Sequence, residues 1–338
     1  MALDRLRSGL RYAGYGLLAA AGVTAATRGL QARAGELEPP LSGDHQTLRW
    51  RGMDVSYTEA GDPDAETTVL VHGINAAGSS GEWRAVFDDL AADSHVVAPD
   101  LPGFGCSDRP PLRYSAALYE DFLADFLGRY EEPAVVASSL SAAYTAAAVD
   151  RGDVSVRRLA FVCPTATGGP EPPKTWLREL LRSRVLGEGL FTLLGSKPSI
   201  RYFNADHGYW DPEKAGDDWM DYEWRTAHQA GARFAPASFV SGHLNSDVAL
   251  GPLLSSFDVP ITILWGREAD LPPLREGRDL AAEADATLVA FDDAMLLPHV
   301  EFPDQFLAAV TDPEETATVD DEPRATVDDE PRVTVERE

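Results

Sequence analysis

Short apolar runs separated by helix-like segments are the feature that most constrains the fold of this chain. Residues 53–59 alternate as a half-buried strand should, and six unbroken apolar runs follow, at residues 68–72, 96–98, 134–137, 159–163, 261–265 and 287–291. Continuous apolarity predicts strands buried on both faces, and alternation with helices predicts crossover connections between parallel strands. The sequence therefore predicts an α/β fold with a mostly parallel central sheet flanked by helices.

The charge of the chain limits the kinds of partner that it can bind and suggests the environment in which the protein works. The 338 residues include 55 Asp and Glu against 29 Lys and Arg, for a net charge of −26, so binding of nucleic acid or of an anionic membrane through a basic surface is not expected. Only three of the basic residues are lysines, a composition that resembles proteins of salt-loving organisms; carboxylates that only maintain solubility are the alternative. The two cysteines, Cys106 and Cys163, form neither a disulfide framework nor a metal-ligand spacing.

Both ends of the chain differ from its body. Three arginines precede an uncharged stretch at residues 12–27, a pattern shared by signal peptides, interfacial membrane helices and helices that dock on their own domain. We predict an N-terminal helical segment at residues 1–45; export or membrane-surface contact through residues 1–34, and a cytoplasmic protein with a docking helix, are the open alternatives. Residues 312–338 contain an acidic eight-residue repeat with proline, which predicts a disordered, solvated tail.

The body of the chain is predicted to be one core, residues 46–164 and 246–311, with an insertion at residues 165–245. The insertion has a helical pattern and contains four of the seven tryptophans. These aromatic residues are interpreted either as the core of a small subdomain or as an apolar lid above a pocket.

A nucleophile site is predicted where the run at residues 134–137 ends. There Ser139 has a small residue two positions before it and another two positions after it, Ala137 and Ser141. A tight strand-to-helix turn strains its central residue and leaves space only for small neighbours. Serines that cap a helix would look similar.

Two loops support the catalytic interpretation. His72-Gly73-Ile74-Asn75 ends an early strand, and the string Asp-Leu-Pro-Gly-Phe-Gly-Cys-Ser-Asp at residues 100–108 ends the next one. Together with the serine turn, these motifs resemble the α/β-hydrolase superfamily over roughly residues 50–310, in particular its lidded esterases and carbon–carbon hydrolases.

The resemblance implies a catalytic Ser139 and an oxyanion hole formed by the backbone N–H groups of Ile74 and Leu140. It also implies supporting roles for His72, Gly73 and Asn75. Members with an aspartate nucleophile, the haloalkane dehalogenases and epoxide hydrolases, form an alkyl ester, so a serine favours acyl transfer.

The acid and the histidine depart from the family pattern. Ala269 stands where the acid usually follows a Trp-Gly pair, so Asp270, one residue later, is the predicted acid and Glu268 is the fallback. Leu296 occupies the usual histidine position, and His299 is the only histidine after Asp270. One interpretation makes His299 the general base; the other makes it a packing residue of a weakened or inactive protein.

The sequence thus predicts a cofactor-independent serine hydrolase that acts on an ester, thioester or related acyl bond of a fairly apolar small substrate. Ser139 attacks, His299 transfers the proton and Asp270 orients the histidine. A carbon–carbon hydrolase, a lyase or a perhydrolase would use the same residues. A catalytically silent fold that binds an apolar ligand or a protein is the remaining alternative, motivated by Leu296.

Overall fold

A single sheet forms the centre of the computed structural model, which describes residues 21–152, 154–311 and 333–336. Its strands are β1 (Asp44–Trp50), β2 (Met53–Ala60), β3 (Thr67–Val71), β4 (His95–Pro99), β5 (Ala134–Ser138), β6 (Arg158–Val162), β7 (Ile261–Gly266), β8 (Thr287–Phe291) and β9 (Val333–Glu336). They lie in the order β1-β2-β4-β3-β5-β6-β7-β8-β9. From β4 to β8 all neighbours are parallel, whereas β1, β2 and β9 pair antiparallel. The predicted mostly parallel sheet is confirmed.

Helices flank this sheet and fill the connections between its strands. They are α1 (residues 21–34), α2 (Phe87–Asp93), α3 (Ala116–Leu127), α4 (Leu140–Asp150), α5 (Thr175–Arg182), α6 (Leu186–Leu194), α7 (Lys197–Phe203), α8 (Asp217–Ala227), α9 (Phe234–Val240), α10 (Leu250–Leu254), α11 (Leu274–Ala284), α12 (Pro298–Glu301) and α13 (Pro303–Thr311). Short 3-10 turns occupy Ser80–Trp83 and Pro212–Ala215, and Asn204–Gly208 forms one π-helical turn.

Small side chains allow helix α4 to pack closely on the centre of the sheet. Every residue of β5 is buried, and so are nine consecutive residues of α4 beginning at Leu140. Because five of those nine are alanines, α4 can lie close to the sheet while α3 and α10 pack on its other sides. This packing fixes the turn between β5 and α4, where Ser139 lies.

The connection between β6 and β7 is the helical insertion, and the described part of it contains no strand. The insertion packs on loops that follow the carboxyl ends of the strands. Ala77, after β3, forms an apolar cluster with Phe191, Ala227 and Ala232, while Tyr209 and Ala215 pack against α12 through Val300. A lid function of this insertion stays a prediction.

Two edge strands correct the predicted domain limits. The tail was expected to be disordered throughout residues 312–338, but Val333–Glu336 pairs with β8 and Arg278 forms a bidentate ion pair with Glu336. Without β9, the backbone N–H and C=O groups along this side of β8 would have no partner strand. Val333 and Val335 of β9 also pack on the core. Residues 312–332 lie outside the described chain. At the other edge, β1 begins at Asp44, so its polar residue His45 belongs to the sheet.

The N-terminal prediction is covered only in part. Residues 1–20 lie outside the described chain, and residues 21–34 are helical. Within the described residues, every helix is too short or too polar to cross a membrane.

Candidate active site

Ser139 occupies a strained turn between β5 and α4. Its backbone has φ 55° and ψ −130°, and its N–H donates to the carbonyl of Val162 over 2.9 Å. A residue with a side chain enters this region only at a cost of about 1–3 kcal/mol, and such strain collects at functional sites. The side chain is half-buried. The turn therefore has the geometry of a nucleophile elbow.

The loop after β3 lies directly against this turn. A Cβ placed on Gly73 would lie 3.1 Å from Ser138 Oγ and 3.5 Å from Ser139 Cβ. The Ser141 hydroxyl also donates to the His72 carbonyl over 2.7 Å. A glycine at position 73 thus allows the loop to approach the serine turn closely.

His72 is hydrogen-bonded to this loop and to the next one through both ring nitrogens. Its Nδ1 donates to the Gly73 carbonyl over 2.7 Å, and its Nε2 accepts from the Leu101 N–H over 3.0 Å. Burial lowers the pKa of His72, so the ring is neutral and both nitrogens are engaged. Asn75 is exposed and accepts from the Ala77 N–H over 2.7 Å, which closes a turn.

The two predicted oxyanion-hole residues stand at the positions that the motifs require. Ile74 follows Gly73 in the loop, and Leu140 is the first residue of α4; both are buried. Donation by their N–H groups to a substrate oxygen stays a prediction.

The Asp100 to Asp108 string has a structural role. One Asp100 oxygen accepts from the Ser80 N–H over 2.6 Å, and the other accepts from the Cys106 N–H over 2.7 Å. Gly105 has φ 49°, and a Cβ placed there would lie 2.0 Å from Asp100 Cγ. Asp100 therefore holds the 3-10 turn Ser80–Trp83 beside the serine turn.

That 3-10 turn contributes Glu82, a buried carboxylate that the sequence analysis missed. Its Oε2 accepts from the Gly73 N–H over 2.9 Å. Burial raises the pKa of Glu82 to about 7, although hydrogen bonds from Ser138 and Gly73 partly oppose this rise. The sequence contains 55 acidic residues, and no motif marks Glu82 among them. Glu82 thus joins the loop after β3 to the serine turn.

His299 lies on the far side of Glu82. It is fully buried at the start of α12, with its ring 4.6 Å from the Trp83 ring and 5.4 Å from the Phe306 ring. Its Nε2 is 3.9 Å from Glu82 Oε1, and among the described residues neither ring nitrogen has a hydrogen-bond partner. Burial, with a smaller effect of Arg84, lowers the pKa of His299 to about 3. At neutral pH the imidazole is therefore uncharged.

The predicted acid does not join this group. Asp270 is exposed in a turn that pairs with Pro273, whereas Ala269 before it is buried. The shift by one position from the family's acid position therefore leaves the carboxylate in solvent. Glu268 accepts from the Ala294 N–H over 3.2 Å, and Leu296 packs against the main core.

The structure thus places Glu82 against the Gly73 loop beside the serine turn, with His299 next to Glu82. Among the described residues, no hydrogen bond or ion pair joins Asp270 to His299. No group of three or more His, Cys, Asp or Glu in the described chain could hold a metal ion. The chemistry available here is that of a serine, an uncharged histidine and a carboxyl group that titrates near neutrality.

Comparison with known proteins agrees with this architecture. A family model described as "Alpha/beta hydrolase family" matches residues 68–309. The 2-hydroxymuconate semialdehyde hydrolase of Pseudomonas sp. (strain CF600) is 24% identical over 259 residues, which are 72% of this chain and 85% of that protein.

Two solved structures share the fold. Cfl2 from Burkholderia cenocepacia is 23% identical with a TM-score of 0.66, over 82% of this chain and 98% of its own. A mutant of the meta-cleavage product hydrolase CumD from Pseudomonas fluorescens IP01 is 18% identical with a TM-score of 0.62, over 80% of this chain and 96% of its own.

Proposed function

The chain belongs to the alpha/beta hydrolase family, and we propose that it is a serine hydrolase of an ester, thioester or related acyl bond in a fairly apolar small substrate. The observation that carries this proposal is the strained backbone of Ser139 beside the Gly73 loop. A serine held in this way can attack a carbonyl carbon and form an acyl-enzyme.

The proposed mechanism uses the loop and the turn together. Ser139 Oγ attacks the substrate carbonyl, and the N–H groups of Ile74 and Leu140 stabilise the oxyanion; loss of one such donor typically costs about 3 kcal/mol. The serine proton passes to the Glu82–His299 pair. The pair gives this proton to the departing alcohol or thiol as the bond to the carbonyl carbon breaks and the acyl-enzyme forms. Water then attacks the acyl-enzyme, one of its protons returns to Ser139 through the same pair, and the acid is released.

Within the pair, Glu82 is the group that holds the proton. Its pKa of about 7 matches a general base at neutral pH, whereas a His299 pKa of about 3 makes the imidazole a weak base. His299 acts as the uncharged neighbour of Glu82 Oε1. In this proposal Glu82 takes the general-base role that the sequence assigned to His299, and Asp270 takes no part.

A fluorophosphonate probe in molar KCl tests the proposal. We expect the wild type to be labelled and Ser139→Ala to remain unlabelled, while Ser138→Ala keeps its label. Glu82→Gln should slow labelling by about 10²-fold or more, the usual contribution of a general base. Asp270→Asn is the matched control and should react like the wild type.

The outcomes separate the assignments. Equal labelling of the wild type and Ser139→Ala would refute Ser139 as the nucleophile. If Asp270→Asn were slowed and Glu82→Gln were not, the acid predicted from sequence would be restored. A carbon–carbon hydrolase would use the same serine, and the similarity to a 2-hydroxymuconate semialdehyde hydrolase supports that candidate; it would be recognised by cleavage of a carbon–carbon bond in preference to an ester.

A second candidate is a catalytically silent protein that binds an apolar ligand. It is favoured by Ala269 and Leu296, which occupy the usual positions of the acid and the histidine. In that case neither the wild type nor any variant would react with the probe, although all of them would be folded.

A further inference from the structure

Two segments of this acidic protein carry an excess of positive charge. Residues 174–203 contain six basic and two acidic residues, and residues 1–34 contain five arginines and one acidic residue. The whole chain has 55 acidic against 29 basic residues. The first of these segments, which spans α5, α6 and α7 of the helical insertion, is therefore basic in sequence. In the structure Lys197 and Arg201 are paired with Asp221 and Asp217 of α8, and Arg178 and Arg182 share Glu179. The excess positive charge therefore lies at the start of α5 and just before α6, where Lys174 and Arg184 are exposed.

The same part of the insertion exposes large apolar side chains. On α6, Leu186 and Leu193 are 66% and 68% exposed, and Leu190 and Leu194 are 41% and 40% exposed. The other three leucines lie four, seven and eight residues after Leu186, so all four are on one side of the helix. These four residues are here called the leucine face. The opposite side carries Phe191, which is buried against Ala77.

Helix α1 lies along one flank of the leucine face. A Cβ placed on Gly189 would lie 3.0 Å from Val23 Cγ1. The other end of α1 is held by α8, because Arg225 donates to the carbonyl of Ala34 over 3.1 Å. The start of α1 is thus beside α6, and it is preceded in sequence by the uncharged residues 12–20 and by three arginines.

We propose that the leucine face, together with the exposed cations Lys174 and Arg184 of the same segment, docks on the surface of an anionic lipid bilayer. Apolar side chains that enter the interface and cations that attract anionic headgroups together bind peripheral proteins to membranes. A body with a charge of −26 would be repelled by such a surface, so contact requires a face of opposite sign. A second copy of the chain is a poorer occupant, since pairing would bring two acidic bodies together.

Flotation of the full-length protein with vesicles tests this surface. We expect binding to vesicles of phosphatidylglycerol and phosphatidylcholine in equal parts and at least ten-fold weaker binding to pure phosphatidylcholine at 0.1 M KCl. The variant Leu186→Gln/Leu193→Gln should lose at least ten-fold in affinity for the mixed vesicles. Leu271→Gln is the matched control, because Leu271 is 64% exposed on the loop after β7, and it should bind like the wild type.

Charge and apolar contributions can be measured separately. Lys174→Gln/Arg184→Gln removes two exposed cations and should weaken binding about three-fold or more at 0.1 M KCl but not at 2 M, where charges are screened. The leucine variant should be impaired at both salt concentrations. Wild-type binding that is unaffected by the leucine substitutions, or no binding at all, would overturn the proposal.

A fluorophore on the leucine face identifies its occupant. An environment-sensitive dye on Leu193→Cys should emit as in water without vesicles and shift to the blue with mixed vesicles; labelled wild type corrects for Cys106 and Cys163. A blue-shifted emission without vesicles would overturn the proposal. It would indicate a second copy if it depended on protein concentration, and coverage by residues 1–20 if it did not.

Discussion

Glu82 and His299 change the stability of the protein with pH in opposite directions. The pKa of Glu82 is raised from 4.5 to about 7, so its contribution to stability is fully present below pH 4.5 and is lost as the pH rises through 7. The pKa of His299 is lowered from 6.5 to about 3, so its contribution is present above pH 6.5 and is lost as the pH falls through 3. The sum of these two contributions to the free energy of unfolding is greatest between pH 4.5 and 6.5.

Glu82→Gln isolates the first of these effects. Glutamine cannot ionise, and its amide oxygen can still accept from the Gly73 N–H. We expect its free energy of unfolding to match the wild type at pH 4, to exceed it increasingly above pH 4.5, and to lead by about 3 kcal/mol above pH 7. Urea titrations followed by tryptophan fluorescence at constant KCl measure this. Exposed Glu276→Gln is the control, and a difference that does not vary with pH would contradict the assignment.

At the residue scale, the sequence identified a site residue whose position depends on local backbone conformation, and it missed one whose role depends on burial. Ser139 could be identified because a tight turn requires small neighbours in fixed positions, and its φ of 55° agrees with this. Asp270 was chosen by its distance from a motif, but a shift by one residue turned it to solvent. Glu82 was missed because its pairing with Gly73 and its proximity to His299 arise only when two distant loops pack together.

At the element scale, α12 is joined to the helical insertion through Glu301. This carboxylate is buried; Oε1 accepts from the Asp211 N–H and Oε2 accepts from the Met295 N–H, each over 3.0 Å. Lys214 donates to the Glu301 carbonyl. The helix that carries His299 is thereby held in register with the insertion.

Glu301→Ala should therefore destabilise the protein by about 2 kcal/mol, because the N–H groups of two partly buried hydrogen bonds would lose their acceptor. Glu301→Gln, which keeps one acceptor oxygen, should lose an intermediate amount. Urea unfolding gives both values, and Glu283→Ala, an exposed carboxylate on α11, should change stability by less than about 0.5 kcal/mol. If Glu301→Ala and the wild type had the same free energy of unfolding, the hydrogen bonds of Glu301 would not contribute to stability.

The sequence predicted the central strands better than the edge strands for a physical reason. Strands β3 to β8 are covered on both faces, so they require unbroken apolar runs. β1 and β9 have one free side; β1 is mostly exposed and β9 is half-buried throughout. Their polar sequences resemble loops, and the Val-Thr-Val run at residues 333–335 was hidden within an acidic repeat.

At the scale of the whole molecule, repulsion between carboxylates outweighs the attraction of ion pairs. Residues 312–338 alone contain eleven acidic and three basic residues. The exposed pairs, such as Arg49 with Asp54 and Arg278 with Glu336, contribute little to stability because water and salt screen them. Most carboxylates have no cation to pair with, because acidic residues exceed basic residues by 26.

Salt should therefore stabilise the protein through screening. Between 0.1 M and 2 M KCl the screening length falls from about 10 Å to below about 3 Å, and we expect the melting temperature at pH 8 to rise by about 10 °C, which corresponds to a few kcal/mol. Near the isoelectric point of about 4.5 the net charge is small, so the same change of salt at pH 5 should raise the melting temperature much less. Calorimetry at the two pH values measures both rises. Equal rises would show that salt acts through apolar burial and not through charge, because burial does not depend on the ionisation of surface carboxylates.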